Sequence, residues 1–224
     1  MINFSFLKTR SSFLLRHKVK TILFFILFYS VGVAGIGTSI TQRIFIDLIP
    51  FALSLSFVAV LLFHESGYSV NFRFVLFTIF LVSYFVEVAG VNTHLVFGNY
   101  SYGNGLGFKL FGTPLMIGLN WVMLVYCSAS IFERFKMPVL LQIILASVLM
   151  VMYDIVLEHV ACFLDLWSWK GNVIPLQNYL VWFALALVFQ SLIKWQKIKT
   201  VNPVAPIIFY CQLLFFVAIL FIIK

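Results

Sequence analysis

The sequence predicts an all-α polytopic membrane protein, a bundle of about seven transmembrane helices. Of its 224 residues, 63% are hydrophobic and only 10% are charged, and the mean hydropathy is +1.09. Such a chain cannot present an ordinary solvated surface. A helix needs about 17–25 apolar residues to cross a bilayer. Seven runs have a length in this range: 21–38, 44–63, 72–90, 114–132, 138–160, 178–194 and 204–223.

Prolines and a basic segment set the boundaries of these runs. Pro114, Pro138 and Pro203 lie at or just before the start of a run, where a missing N–H does least damage to a helix. The first run follows a basic segment, as in a secretion signal, but six further runs follow it, so we expect a retained first helix. The sequence therefore predicts a basic leader at residues 1–20 and a single transmembrane domain at 21–224.

The net charge of +8 is explained by membrane orientation rather than by nucleic acid. Positive residues concentrate on the cytoplasmic side of membrane proteins. A cytoplasmic N-terminus places eleven of the 15 basic residues inside and leaves four outside, namely Arg43, Lys109, Lys170 and Lys224. We therefore expect an integral protein of the bacterial cytoplasmic membrane with a cytoplasmic N-terminus, in contact with lipid and not with nucleic acid.

The sequence lacks the residue patterns that usually bind several kinds of cofactor. The three cysteines show no paired spacing, four scattered histidines are too few for a di-iron site, and no glycine fingerprint for dinucleotides follows a strand. Asp154 and Glu158 imitate half of an Asp-rich magnesium motif, but no partner motif appears. We expect no metal and no organic cofactor, which leaves acid–base chemistry on an apolar substrate.

The polar and aromatic residues gather in the stretch from Glu87 to Trp121. Glu87 falls on one helical face with Ser83 and Tyr84, near the end of the third run. A charged residue inside a bilayer costs about 2.5–3.5 kcal/mol on insertion scales, so such residues usually face a cavity or a partner. The alternative is a protonated glutamic acid that hydrogen-bonds a neighbouring helix.

A second acidic cluster lies at the end of the fifth run. Asp154 and Glu158 are four residues apart and therefore share one helical face. The connections 91–113 and 161–177 are separated by an even number of crossings, so they lie on the same side as these acids and can form a lid. Candidate substrate-binding residues surround the acids: Tyr84, Tyr100, Tyr102, Asn120, Trp121, Trp167, Trp169 and Asn178. Alternatively, the last two tryptophans belong to an interfacial belt and Asn178 caps a helix.

Three segments together resemble a known family. They are EVAGVNTHLVFGNYSYGNGLGFKLFGTPLMIGLNW, YDIVLEHVACFLDLWSW and VIPLQNYLVWF, within residues 70–195. This pattern resembles the integral-membrane carotenoid biosynthesis protein family of the carotenoid 1,2-hydratase and bisanhydrobacterioruberin hydratase type. His94 and His159 stand where that family usually has Gly and Pro.

The resemblance implies hydration of the terminal 1,2 double bond of an acyclic carotenoid such as lycopene, γ-carotene or a related polyene. The reaction needs a carboxylic acid to protonate the alkene, aromatic faces to stabilise the tertiary cation, and a positioned water. Glu87, Asp154 and Glu158 are the candidate catalytic residues, with Asp154 as the acid and Glu158 holding the water. Two alternatives remain: a lycopene-cyclase-like enzyme that protonates the same polyene, and a non-catalytic carotenoid-binding protein.

Overall fold

A computed structural model describes the backbone of residues 4–223 and the side chains of residues 16–223. Eight helices and four short strands follow in the order α1 Phe4–Gly37, α2 Gln42–Asp47, α3 Ile49–Leu62, α4 Val70–Thr93, β1 Tyr100–Tyr102, β2 Lys109–Leu110, β3 Thr113–Pro114, α5 Leu115–Phe132, α6 Val139–Ala161, β4 Trp167–Trp169, α7 Leu176–Trp195 and α8 Ala205–Ile222. Helix α1 begins inside the basic segment assigned to a leader. The membrane-protein prediction is confirmed.

Six of the described helices are long and apolar enough to cross a membrane: α4 to α8 and the Arg16–Gly37 part of α1. The single span expected at residues 44–63 is wrong, because the chain breaks there into α2 and α3. Pro50 lies in the first turn of α3 and cannot donate to the carbonyl of Ile46, so a continuous helix is interrupted. Helix α3 has 14 residues, a length of about 21 Å at 1.5 Å per residue.

Helix α3 nevertheless runs from one end of the bundle to the other. At its start, Arg43 of α2 pairs with Asp165 at 3.3 Å, in the connection after α6. At its end, the Asn202 amide donates to the Val60 carbonyl at 2.7 Å, in the connection before α8. Counted with α3, seven helices of the described chain run between the two ends of the bundle. We call residues 94–114 and 162–175 the lid, and connections 63–69, 133–138 and 196–204 the opposite end.

Helix α5 is the centre of the bundle. Almost every residue from Ile117 to Ile131 is buried, and α3, α4, α6, α7 and α8 pack around it. Gly118 allows close approach, because a Cβ there would lie 3.0 Å from the Phe80 ring of α4. Pro114 and Pro138 immediately precede α5 and α6, as the sequence predicts, and Pro175 precedes α7 in the same way.

The lid contains two small antiparallel sheets, which the all-helical prediction did not include. Strand β1 pairs with β4, and β2 forms a hairpin with β3. The β1–β4 pair joins the two connections expected to share one side of the membrane, and it places both at the same end of the bundle. Because β1 follows α4 and β4 follows α6, the pair closes the end of the bundle over the acidic residues of both helices.

Candidate functional site

Three carboxylates lie buried beneath the lid. Glu87 is on α4, and Asp154 and Glu158 are one turn apart on α6; their exposures are 4%, 0% and 6%. Ser83, which shares the face of Glu87, is also buried, so the predicted face is the buried one. The two helices therefore carry their acids into one compartment at the lid end.

Glu87 accepts hydrogen bonds from the lid and from the central helix. The Tyr100 and Tyr102 hydroxyls donate to its Oε2 at 2.7 Å each, and the Trp121 indole N–H donates to Oε1 at 3.0 Å. Gly90 makes room for this arrangement, because a Cβ there would lie 3.0 Å from the Tyr100 hydroxyl. Both oxygens of Glu87 are therefore engaged by uncharged donors.

Glu158 is held in a matching way. The Trp167 and Trp169 indoles donate to its Oε2 at 2.9 and 2.7 Å. The Asn178 amide, at the start of α7, donates to its Oε1 at 3.1 Å. In an interfacial belt, the indole N–H groups of Trp167 and Trp169 would face lipid headgroups or water. Here both N–H groups are bonded to Glu158 instead.

Asp154 differs from both glutamates. Its Oδ2 accepts from the Asn178 amide at 3.0 Å. Its Oδ1 is buried and has no hydrogen-bond partner among the described residues. Leaving a buried polar atom unpaired costs about 1–3 kcal/mol, so an unpaired oxygen here needs a functional or chemical explanation. The amide of Asn178 bridges the two acids of α6 and does not cap α7, whose N-cap residue is Pro175.

The β1–β4 pair explains how the lid reaches two carboxylates at once. Side chains alternate between the two faces of a strand. In YSY and WSW the serines are exposed and the aromatic rings point inward. The register places Tyr100 opposite Trp169 and Tyr102 opposite Trp167. One strand therefore supplies the donors to Glu87 and its partner supplies the donors to Glu158.

The two lid phenols remain donors at physiological pH. Burial raises the pKa of Tyr100 and of Tyr102, and the nearby Glu87 carboxylate raises both further. A phenol that keeps its proton remains able to donate a hydrogen bond to a carboxylate. The two tyrosines therefore hold the lid to Glu87 throughout the physiological pH range.

A cavity with space of about 20 Å³ lies between the acids and the lid. A water molecule needs about 10–15 Å³ on this measure and two to four polar partners. The cavity is lined by two carboxylates, one amide and mainly aromatic side chains: Glu87, Phe97, Tyr100, Tyr102, Ile117, Glu158, Trp167, Trp169, Asn178 and Trp182. It can therefore hold one water in contact with acids and aromatic faces.

Some predicted site residues lie outside this cavity. Asp154 is one turn deeper than Glu158 and does not line it. Trp121 stacks on Trp182 at 4.0 Å between ring centroids, and Trp182 forms the wall instead. The Tyr84 hydroxyl donates to the Leu110 carbonyl at 2.6 Å, so it fixes the β2–β3 hairpin. Asn120 is buried on α5, but its amide bonds none of the three carboxylates in the described structure.

The sequence did not single out Phe97, Ile117 and Trp182, which complete the cavity. An aromatic or aliphatic residue inside an apolar run carries no signal that separates a cavity wall from ordinary packing. The helical spacing of Trp182 from Asn178, four residues on the same face, was the one available signal. Within residues 16–223, no group of three or more His, Cys, Asp or Glu side chains is arranged to hold a metal ion.

The two histidines that the sequence analysis singled out, His94 and His159, lie at the ends of α4 and α6. His94 ends α4 with φ of 61°, the left-handed conformation that suits glycine after a helix. His159 lies exposed in the last turn of α6, and its Nδ1 lies 2.7 Å from the Ile155 carbonyl oxygen. Neither imidazole bonds a carboxylate of the site.

Comparison with known proteins identifies the relationship. A family model described as "carotenoid biosynthesis protein" matches residues 46–224. No curated protein and no solved structure matches the chain. The matched region runs from the end of α2 to the C-terminus and includes all three carboxylates, the whole lid and the cavity.

Proposed function

Because this chain belongs to the carotenoid biosynthesis protein family, we propose that it is a cofactor-independent hydratase of acyclic carotenoids. The enzyme adds water across the terminal 1,2 double bond and produces a tertiary alcohol. Membership supports a role in carotenoid biosynthesis and a membrane setting. The hydration step, the residue roles and a bacterial cytoplasmic membrane with the N-terminus inside are the proposal.

The chemistry requires one proton donor and one proton acceptor. The donor protonates the less substituted alkene carbon and leaves a tertiary cation, water bonds to that cation, and the acceptor takes the proton released by the water. General acid–base groups typically contribute about 10²–10⁴-fold to such steps. Atoms and charges balance, and the acids return to their starting state when the acceptor's proton passes back to the donor.

The hydrogen bonding supports a division of roles among the three acids. Asp154 is the donor, because its Oδ1 has no partner among the described residues and it is fully buried, which favours a protonated carboxyl group. It lies one turn below the closed cavity, so the end group must pass Glu158 to come within reach of it. Glu158 and Glu87 line the cavity and are the groups that position the water and accept its proton. Asn178 bonds both Asp154 and Glu158 and so keeps donor and acceptor one turn apart.

The single observation that carries this proposal is the water-sized space between Glu87 and Glu158 under aromatic walls. Aromatic faces attract a cation by about 0.5–2 kcal/mol, depending on desolvation. A cyclase would exclude water from its cation. A pure binding protein would have no use for three buried acids, because burying them costs stability.

The test is expression of the full chain in a lycopene-producing host, with the host lacking the gene as control. Hydration predicts a pigment heavier than its precursor by one water for each end group that reacts. A new pigment of unchanged mass would identify a cyclase. Unchanged pigment that copurifies with the protein would identify a binding protein, and either result would refute the hydratase.

A further inference from the structure

The cavity beneath the lid is too small for the substrate that the proposed function requires. Its space of about 20 Å³ holds one water, whereas a cavity of about 150 Å³ accommodates a molecule as small as benzene. A branched carotenoid end group is at least that large. Some wall of the cavity must therefore move before an end group can reach Glu87 and Glu158.

The lid itself is strongly fastened over the acids. Its strands β1 and β4 hydrogen-bond each other, and their tyrosines and tryptophans hold Glu87 and Glu158. A polyene also reaches the protein from the bilayer and not from the aqueous face. Movement of the lid alone would open the cavity in the wrong direction.

Two walls of the cavity come from α4 and α7, which meet along a seam at the edge of the bundle. Glu87 of α4 and Trp182 of α7 face the cavity. The outward faces of both helices carry large exposed apolar residues, for example Phe85 at 56% and Leu180 at 61% exposure. The seam therefore separates the cavity from lipid.

Few polar contacts close this seam. At the lid end, the exposed Gln177 amide donates to the Leu95 and Val96 carbonyls at 2.5 and 2.8 Å. At the opposite end, the Asn71 amide donates to the Gln196 side chain at 3.3 Å. Among the described residues, no side-chain hydrogen bond joins α4 directly to α7, and the Gln177 bonds reach the first residues of the lid, just beyond the end of α4. By contrast, α7 is tied to α6 through Asn178 inside the site.

We propose that the α4–α7 seam is the lateral entrance through which the end group of a linear polyene reaches the carboxylates, and that Gln177 is its latch. The inference rests on the proposed function for its ligand. The latch is made of one exposed side chain and two main-chain carbonyls beyond the end of α4. It can open without disturbing the bonds that hold Glu87 and Glu158.

The experiment locks the seam with a short bifunctional thiol crosslinker. Cysteines replace Val96 and Gln177 in the full chain, and Cys162, the exposed one of the three native cysteines, becomes Ser. The matched control places the same crosslink at the opposite end of the seam, in Asn71→Cys with Gln196→Cys. We expect the lid-end crosslink to slow conversion of lycopene at least tenfold, and the opposite-end crosslink to change it less than twofold.

A second readout separates the entrance from the chemistry. Purified protein is crosslinked either before or after exposure to lycopene, and the retained pigment is measured by absorbance. Crosslinking before exposure should prevent uptake, and crosslinking afterwards should trap the pigment. This readout needs no hydration, so it tests the seam even if the proposed reaction is wrong.

Equal uptake and conversion with and without the lid-end crosslink would overturn the entrance. If the Val96 variant does not fold, Leu95→Cys with Gln177→Cys supplies a second pair at the same latch. An opposite-end crosslink that blocks uptake as strongly as the lid-end crosslink would also overturn the assignment of the latch to Gln177.

Discussion

The acids at the two ends of the bundle have different hydrogen-bond partners. At the opposite end, Glu133 accepts a hydrogen bond from the Lys194 ammonium at 2.7 Å, and the two side chains are only 19% and 16% exposed. At the lid end, Glu87, Asp154 and Glu158 accept only from tyrosine, tryptophan and asparagine. Lys109, within the lid, instead donates to the Tyr102 carbonyl at 2.7 Å. Glu133 is therefore paired with a cation, as the more exposed Asp165 of the lid is with Arg43, whereas none of the three buried acids is.

This difference is what the proposed division between one structural acid and three catalytic acids predicts. A cation neutralises a buried carboxylate, and removal of one partner from such a pair is strongly destabilising. Three acids without a cation cannot all be ionised at low cost, because like charges oppose one another in a medium of low dielectric constant. The lid end therefore favours shared protons, which is what an acid catalyst needs and what the ion pair at the opposite end does not provide.

The difference between the two ends is tested most directly by replacing one acid at each end. Asp154→Asn keeps the shape of the side chain but cannot deliver a proton, so we expect conversion to fall about 100-fold or more. Product mass and amount in membranes, at equal protein level, measure the effect. Glu133→Gln should lower thermal stability and leave conversion close to normal. If Asp154→Asn made alcohol at nearly the normal rate, Glu87 or Glu158 would be the donor.

Gly90→Ala should detach the lid from Glu87 without touching a carboxylate. The added Cβ would lie 2.6 Å from the Phe97 ring and 3.0 Å from the Tyr100 hydroxyl. Loss of a hydrogen bond to a charged group costs about 1.5–3 kcal/mol, and we expect conversion to fall about tenfold with it. Hydrogen exchange at residues 100–102 should increase.

The matched control for this lid variant lies in another part of the bundle. Gly32→Ala on α1 meets only the Phe215 side chain at 3.3 Å, and it should leave conversion unchanged. Normal conversion in both variants would mean that the Tyr100 contact is not needed for activity.

Trp182→Leu tests whether the aromatic wall stabilises a cation. Trp182 lines the cavity and stacks on Trp121. The indole N–H of Trp121 donates a hydrogen bond to Glu87. A cation–π contact of about 0.5–2 kcal/mol corresponds to a loss of about 2–30-fold in kcat. We expect KM to change less than kcat. A change confined to KM would indicate that Trp182 only packs against the substrate.

The sequence predicted the helices and the acids for definite physical reasons. Long apolar runs bounded by prolines specify membrane helices. A carboxylate inside such a run, as at Glu87, is costly in lipid and therefore indicates a cavity or a polar partner. Counting crossings was enough to place both long connections on one side. The Y-S-Y and W-S-W segments alternate as strands do, but three residues are too few to distinguish a strand from an irregular loop.

Other features depended on contacts that no local pattern encodes. The role of Trp182 depends on which face of α7 turns inward, and the bridge from Asn178 to two acids depends on how α6 and α7 pack. The break between α2 and α3 did have a local signal in Pro50. The continuous hydropathy of residues 44–63 hides that signal, because it predicts one helix where the structure has two.

The smallest expected effect concerns His94, which ends α4 in a left-handed conformation. Its φ of 61° lies in the left-handed region, and its imidazole is exposed, so His94→Gly should relieve strain and lose no contact. Glycine also raises the conformational entropy of the unfolded chain, which offsets part of this gain, so we expect a net increase of about 0.5–1 kcal/mol in the free energy of unfolding.

His159→Gly is the control. His159 lies in the helical last turn of α6, where glycine should lower the free energy of unfolding by about 1 kcal/mol. Thermal unfolding would measure both signs, and conversion should stay unchanged in each variant, because neither imidazole bonds an acid of the site. A loss of conversion in His94→Gly would show that this histidine takes part in function at the lid end.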